Sequence, residues 1–140
     1  MKAVVVTRFG GPEVLETRDL PIPQPGSGQI LIQVAYAGVN NADLWSRQGR
    51  SLHALPFIPG YEVAGTIRAL GEGVEGFRVG QSVTALTVGG GYMAKLTLHL
   101  MAEGALKLAI SETLPLEQAA EAHRRIEARS HVGKLLLQVR

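Results

Sequence analysis

The chain has no cysteine, which removes a disulfide framework, a thiolate nucleophile and any cysteine-based zinc site. Aromatic residues are scarce, at 5% with a single tryptophan, so an aromatic inside a motif stands out. Charge is close to balanced, with a formal net of +2. A pI near 9.2 reflects that small excess; apart from Arg124-Arg125 the basic residues are scattered, and no nucleic-acid partner is expected. No apolar run approaches the roughly 18 residues that would suggest a membrane span. Lys2 is not followed by a signal-peptide layout, so no membrane partner and a soluble, cytoplasmic protein are expected. Internal repeats and low-complexity tracts are also lacking. What remains is 140 residues with 46% hydrophobic content, enough to bury one core without cross-links.

Short β-branched segments dominate the first two thirds. Met1–Thr7 reads as a strand ending at the Gly10-Gly11-Pro12 turn, with Glu13–Asp19 as its hairpin partner. Pro21, Pro23, Pro25, Gly26 and Gly28 make a connector that is neither helix nor central strand. Gln29–Ala37 alternates with Ile30, Ile32 and Val34 on one side, as a half-buried strand does. Asn40–Gln48 predicts a short helix, with Asn40 or Asn41 as N-cap, Asp43 in the first turn, Arg47 in the last and Gly49 ending it. Strands follow over Tyr61–Leu70 and Ser82–Val88, and a short one over Tyr92–Leu96. Leu98–Glu103 has weak helical character. Leu116–Ala128 predicts a helix with Leu116, Ala119, Ala120, His123 and Ile126 on one face. Glu121 and Arg125 are spaced for a pair on its solvent side. Gly133 releases a last strand, Lys134–Val139. Many short strands with two or three helices make the fold mainly β with helices, an α+β partly open barrel.

Gly71-Glu72-Gly73-Val74-Glu75-Gly76 matches a dinucleotide-binding pattern by letter only. That pattern works where its third glycine opens a helix whose amides face a pyrophosphate. Here Phe77-Arg78-Val79-Gly80 leads into another strand, and Glu72 and Glu75 would repel phosphate. The segment reads as a turn. Gly89–Gly91 has no following Lys-Ser/Thr and reads as a flexible lead into a strand. The four histidines, His53, His99, His123 and His131, lack metal-ligand spacing, and His123 on an apolar helix face reads as packed or partly exposed; no metal site is expected.

Three segments carry a family resemblance. Ala37-Gly38-Val39-Asn40 with Asp43, Arg47 and Gly49 is similar to an A-G-V-N-x-x-D-x-x-x-R-x-G stretch of medium-chain dehydrogenases/reductases. Phe57-Ile58-Pro59-Gly60-Tyr61-Glu62-Val63-Ala64-Gly65, then the Gly-Glu-Gly-Val turn and Phe77–Val83, is the second. Pro115–His123 with Gly133-Lys134 is the third. In this order they resemble the zinc-independent, zeta-crystallin-like NADPH:quinone reductase branch. The resemblance implies a single GroES-like domain spanning residues 1–140, built from an N-terminal segment (residues 1–95) and a C-terminal segment (residues 98–140). It places their seam near residues 91–98, where the family carries a Rossmann cofactor domain; that domain is expected to be absent.

In zinc-using members Asn40 aligns with a ligand cysteine and Tyr61 with a ligand histidine, and an amide and a phenol are poor zinc ligands. The resemblance therefore implies reduction of quinones or other enone-like acceptors by NADPH, without zinc. Asn40, Asp43, Trp45 and Tyr61 would line the cleft, with Asn40 hydrogen-bonding nicotinamide or substrate and Trp45 walling a flat acceptor; relatives often carry tyrosine near position 45. The same residues also read as a helix cap, a first-turn carboxylate and barrel packing. Glu62 reads as an ion-pair partner, with an arginine as one candidate. Lys134 either approaches the cleft or points into solvent. Without the cofactor domain, the chain is expected to bind NADPH weakly and to be inactive, or nearly so, alone. A cofactor-free binding or scaffold module using the exposed cleft wall is the alternative. The apolar seam Leu96–Met101 is a candidate for self-association.

Overall fold

The computed structural model describes residues 1–87, 89–91, 110–130 and 133–139. The strand expected over Tyr92–Leu96, the weak helix over Leu98–Glu103 and the apolar seam Leu96–Met101 lie outside them.

Strand β1 (Lys2–Val6) pairs antiparallel with β2 (Leu15–Asp19), Val6 opposite Leu15. Between them Gly11 and Pro12 open a single 3-10 turn, Pro12–Val14, in which the missing proline N–H costs nothing. Ala3 through Val6 are all buried, so β1 has cover on both faces while most of β2 is exposed. An isolated bridge from Val6 ties β1 to Phe57, in the loop that precedes Glu62.

The main sheet has five strands in the order β5-β4-β3-β7-β6. These are β3 (Ile30–Gly38), β4 (Glu62–Leu70), β5 (Ser82–Leu86), β6 (Ile110–Pro115) and β7 (Lys134–Gln138). In β3, Ile30, Ile32 and Val34 face the core, but the next inward residue is Ala37, while Tyr36 is 41% exposed. The change of phase has a local cause. The register against β4 shifts between Val34 and Tyr36, and one extra residue turns every later side chain over. Gly65 lies opposite this irregularity, and a Cβ there would collide with the Gln33 carbonyl oxygen.

β7 runs antiparallel to β3 and parallel to β6. Joining β6 to β7 are a 3-10 turn, Leu116–Gln118, and helix α2 (Ala119–Glu127). The expected helix therefore starts later than Leu116, and its inward face is corrected as well. Ala122 is fully buried and Ala120 only partly, because the α-helical phase begins at Ala119. Strand β6 was not anticipated. It is an edge strand that buries Leu114 and ends on Pro115, which an edge tolerates.

The core lies between α2 and the sheet, where Leu116, Ala119, Ala122 and Ile126 join Val34, Val63, Ile67, Leu135 and Leu137. Residues from before and after the seam thus share one core. The described sheet is not closed, since β5 and β6 remain its edges. That is the partly open, mainly β architecture expected from the sequence, with two α-helices among the described residues.

Candidate functional site

Helix α1 (Asn41–Arg47) sits between β3 and the loop leading to β4. Its first turn organises the site. Asn40, in extended conformation, is the N-cap. The Asp43 carboxylate reaches back to accept from the Asn40 N–H at 2.8 Å and from the Gly60 N–H at 2.7 Å. One buried side chain thereby fixes both the end of β3 and the start of the segment that becomes β4. Burial outweighs these two hydrogen bonds and the Lys134 charge, and pushes the Asp43 carboxyl up to about 6.

Around Asn40 lies a polar cluster drawn from three strands. Lys134, at the start of β7, donates to the Asn40 amide oxygen at 2.7 Å and pairs with Glu62 Oε2 at 2.5 Å. The Asn40 amide nitrogen donates to Glu62 Oε2 and to the Gly38 carbonyl, each at 3.4 Å. A side chain at Gly38 would strike Glu62 Oε2 and Lys134 Cε, so this glycine makes room for the ion pair. Lys134 is thus not a solvated lysine. Its side chain is 23% exposed and belongs to the cluster. Glu62 does form an ion pair, with this lysine rather than an arginine.

Tyr61 belongs to a second chain of hydrogen bonds. Its hydroxyl lies 2.6 Å from Ser46 Oγ and 2.7 Å from His53 Nε2. His53 stacks on Phe57, with centroids 5.0 Å apart and planes 16° from parallel. Neither Ser46 nor His53 was singled out from the sequence. Ser46 had a readable signal, being three residues beyond Asp43 on the same helix face. His53 had none, since loop spacing does not say where an imidazole lands. Trp45 is 54% exposed, which overturns the reading of it as barrel packing.

Arg47 does more than favour a helix end. It is fully buried, donates to the Gly10 carbonyl at 2.6 Å and to His123 Nδ1 at 3.2 Å, and pairs with Glu127. Accepting at Nδ1 leaves the neutral ring's proton on Nε2, a buried atom with no hydrogen-bond partner among the described residues. Burial, then the neighbouring guanidinium, lowers the His123 pKa to about 3. His123 is therefore a neutral, packed histidine.

The donor chemistry does not suit zinc, because Asn40 and Tyr61 offer an amide and a phenol already held by Lys134, Ser46 and His53. For a reduced nicotinamide the fit is one-sided. Asn40 and Lys134 can meet an amide or carbonyl group, whereas the Gly71–Gly76 turn joins two strands and presents no helix N-terminus to a pyrophosphate.

Residues 26–106 match the family model of the alcohol dehydrogenase GroES-like domain. A quinone oxidoreductase from Lama guanicoe is 46% identical over 96 residues, which are 66% of this chain and 29% of that protein. The Escherichia coli quinone oxidoreductase complexed with NADPH aligns with a TM-score of 0.63 at 28% identity, over 66% of this chain and 29% of the other. Human synaptic vesicle membrane protein VAT-1 homolog-like protein aligns with a TM-score of 0.88 at 15% identity, over 99% of this chain and 98% of the other, a likeness of fold alone. The chain thus spans under a third of the length of each of these two quinone oxidoreductases.

Proposed function

The chain belongs to the alcohol dehydrogenase GroES-like domain family, and from that premise we propose that it is the substrate-side domain of an NADPH-dependent quinone oxidoreductase, inactive or nearly so alone. The observation that carries this reading is the cluster of Asn40, Glu62 and Lys134 braced by Asp43. Its Asn40 stands where the resemblance places a ligand cysteine in zinc-using members, and the cluster offers hydrogen-bond donors in place of a Lewis acid. Quinone oxidoreductases among the relatives support the acceptor class, and NADPH in a related structure supports the cofactor.

NADPH would supply the hydride. Asn40 and Lys134 would orient the carbonyl groups that meet in the cleft, and Trp45 would border it. Hydride transfer needs donor and acceptor atoms held about 3–3.5 Å apart by both walls of a cleft, and the described residues build one wall. The pyrophosphate and ribose have no evident seat on it, so the chain alone is expected to bind NADPH weakly and turn over negligibly. An NADPH-dependent quinone reduction assay on the pure chain tests this. Background-level rates fit the proposal, and robust turnover free of any longer contaminant contradicts it.

A second reading has one observation in its favour. Trp45 is more than half exposed on a one-tryptophan chain, and an exposed indole suits a cofactor-free binding or scaffold module. Saturable binding of a planar ligand without NADPH, lost on Trp45→Ala, would favour it.

A further inference from the structure

Resting on that reading and extending it, we infer that Tyr61 is the proton donor to the carbonyl oxygen of the acceptor, with Ser46 and His53 positioning and resupplying it. Reduction of a quinone or enone requires a proton as well as a hydride, and neither Asn40 nor the paired Lys134 is suited to give one up. Tyr61 precedes β4 directly, next to Glu62 of the polar cluster. Its hydroxyl has two partners at short range, Ser46 Oγ at 2.6 Å and His53 Nε2 at 2.7 Å. A phenol that merely filled space would need neither. The chain is also graded in depth: Ser46 is buried, Tyr61 and His53 are partly exposed. Imidazole is the side chain best suited to pass protons near neutrality, and here it is bonded to the phenol and is itself partly exposed.

The atoms balance. The acceptor gains a hydride, with its electron pair, from the C–H bond that breaks in the reduced nicotinamide. Its oxygen gains the Tyr61 proton as the phenol O–H bond breaks. The phenolate then takes the Nε2 proton of a His53 imidazolium, and the neutral imidazole regains a proton from water, leaving hydroxide in solvent.

The hydrogen-bond arithmetic gives a pH signature. A neutral His53 can accept the Tyr61 proton at Nε2, whereas an imidazolium can only donate there, which frees the phenol proton for a ligand. Facing the pair among the described residues are Ser46 from α1, Phe57 from the preceding loop and Gly89 beyond β5. The ionisable groups linked to this set are Asp43, through the Gly60 amide, and the Glu62–Lys134 pair. Asp43 also titrates near 6, so the control must retain it.

The test is a titration of the chain with 1,4-naphthoquinone without cofactor, followed by Trp45 emission against a free-tryptophan collisional baseline, from about pH 8 to pH 5.5. The inference predicts wild-type affinity that rises as pH falls. Tyr61→Phe should bind about 10-fold more weakly at the acid end, one hydrogen bond's worth, and lose the pH dependence. His53→Gln should also flatten the profile. Equal affinity and an equal profile in Tyr61→Phe would overturn the inference and assign the titration to Asp43, leaving the reductase reading intact. Quenching no greater than the collisional baseline in wild type would instead overturn that reading, and the inference with it.

Discussion

At the scale of single residues, two buried ionisable groups oppose each other. Asp43 holds its proton more tightly folded than unfolded, with its pKa raised from 3.8 to about 6. Its contribution is fully present below the unfolded value and is lost as pH rises through about 6. His123 moves the other way, from 6.5 to about 3, so its contribution is present above 6.5 and is lost as pH falls toward 3. Between about pH 4 and 6 the folded chain holds one extra proton on Asp43 and one fewer on His123, and the two slopes cancel. Removing one partner should expose the other. Asp43→Asn should lose roughly 1.4 kcal/mol per pH unit on acidification across that window, and His123→Gln should lose a similar amount on alkalinisation. Chemical unfolding at several pH values checks this, and parallel profiles for both variants would contradict it. Arg47 gives a simpler expectation. Arg47→Ala empties a fully buried site and leaves the Gly10 carbonyl and His123 Nδ1 without their donor, and should cost about 3–5 kcal/mol, read as a fall in the urea midpoint. Arg47→Lys should recover little, because an ammonium lacks the planar fork that reaches three partners.

At the scale of elements, legibility followed locality. β1, β3, β4, α1 and β7 announce themselves through alternation, an N-cap and flanking glycines, all signals carried within a few residues. β6 does not: Ile110–Pro115 holds a glutamate and a proline, and the burial of Leu114 makes no pattern there. Alternation in β3 also hid the irregularity after Val34, because nothing in Gln33–Tyr36 distinguishes a bulge from a regular strand. Gly65 is its trace on the opposing strand. Gly65→Ala should push β3 and β4 apart and cost about 1–3 kcal/mol, measurable by thermal unfolding; a neutral effect would mean that the strands yield freely there. The site was half legible. Asn40, Asp43, Tyr61 and Lys134 all stand in recognisable segments, but that Lys134 meets Asn40 across 94 residues rather than pointing into solvent is encoded by no local pattern. His53 was invisible for the same reason.

At the scale of the whole molecule, the N-terminal and C-terminal segments share one sheet and one core. β7 inserts between β3 and β6, α2 packs on a core shared with β3 and β4, and Arg47 and Asn40 each bond across the join. The sheet and its polar cluster therefore assemble within the described residues, while the wall that would hold most of a dinucleotide is not among them. On this account the described residues supply the wall of a cleft that orients a carbonyl acceptor and do not supply the one that grips the cofactor. The most direct test is a titration of NADPH into the purified chain, following Trp45 emission and reduced-nicotinamide fluorescence together. The account predicts no saturation into the millimolar range. Saturation at micromolar NADPH would contradict it, because a single wall, or a self-associated form of it, would then be holding the whole cofactor.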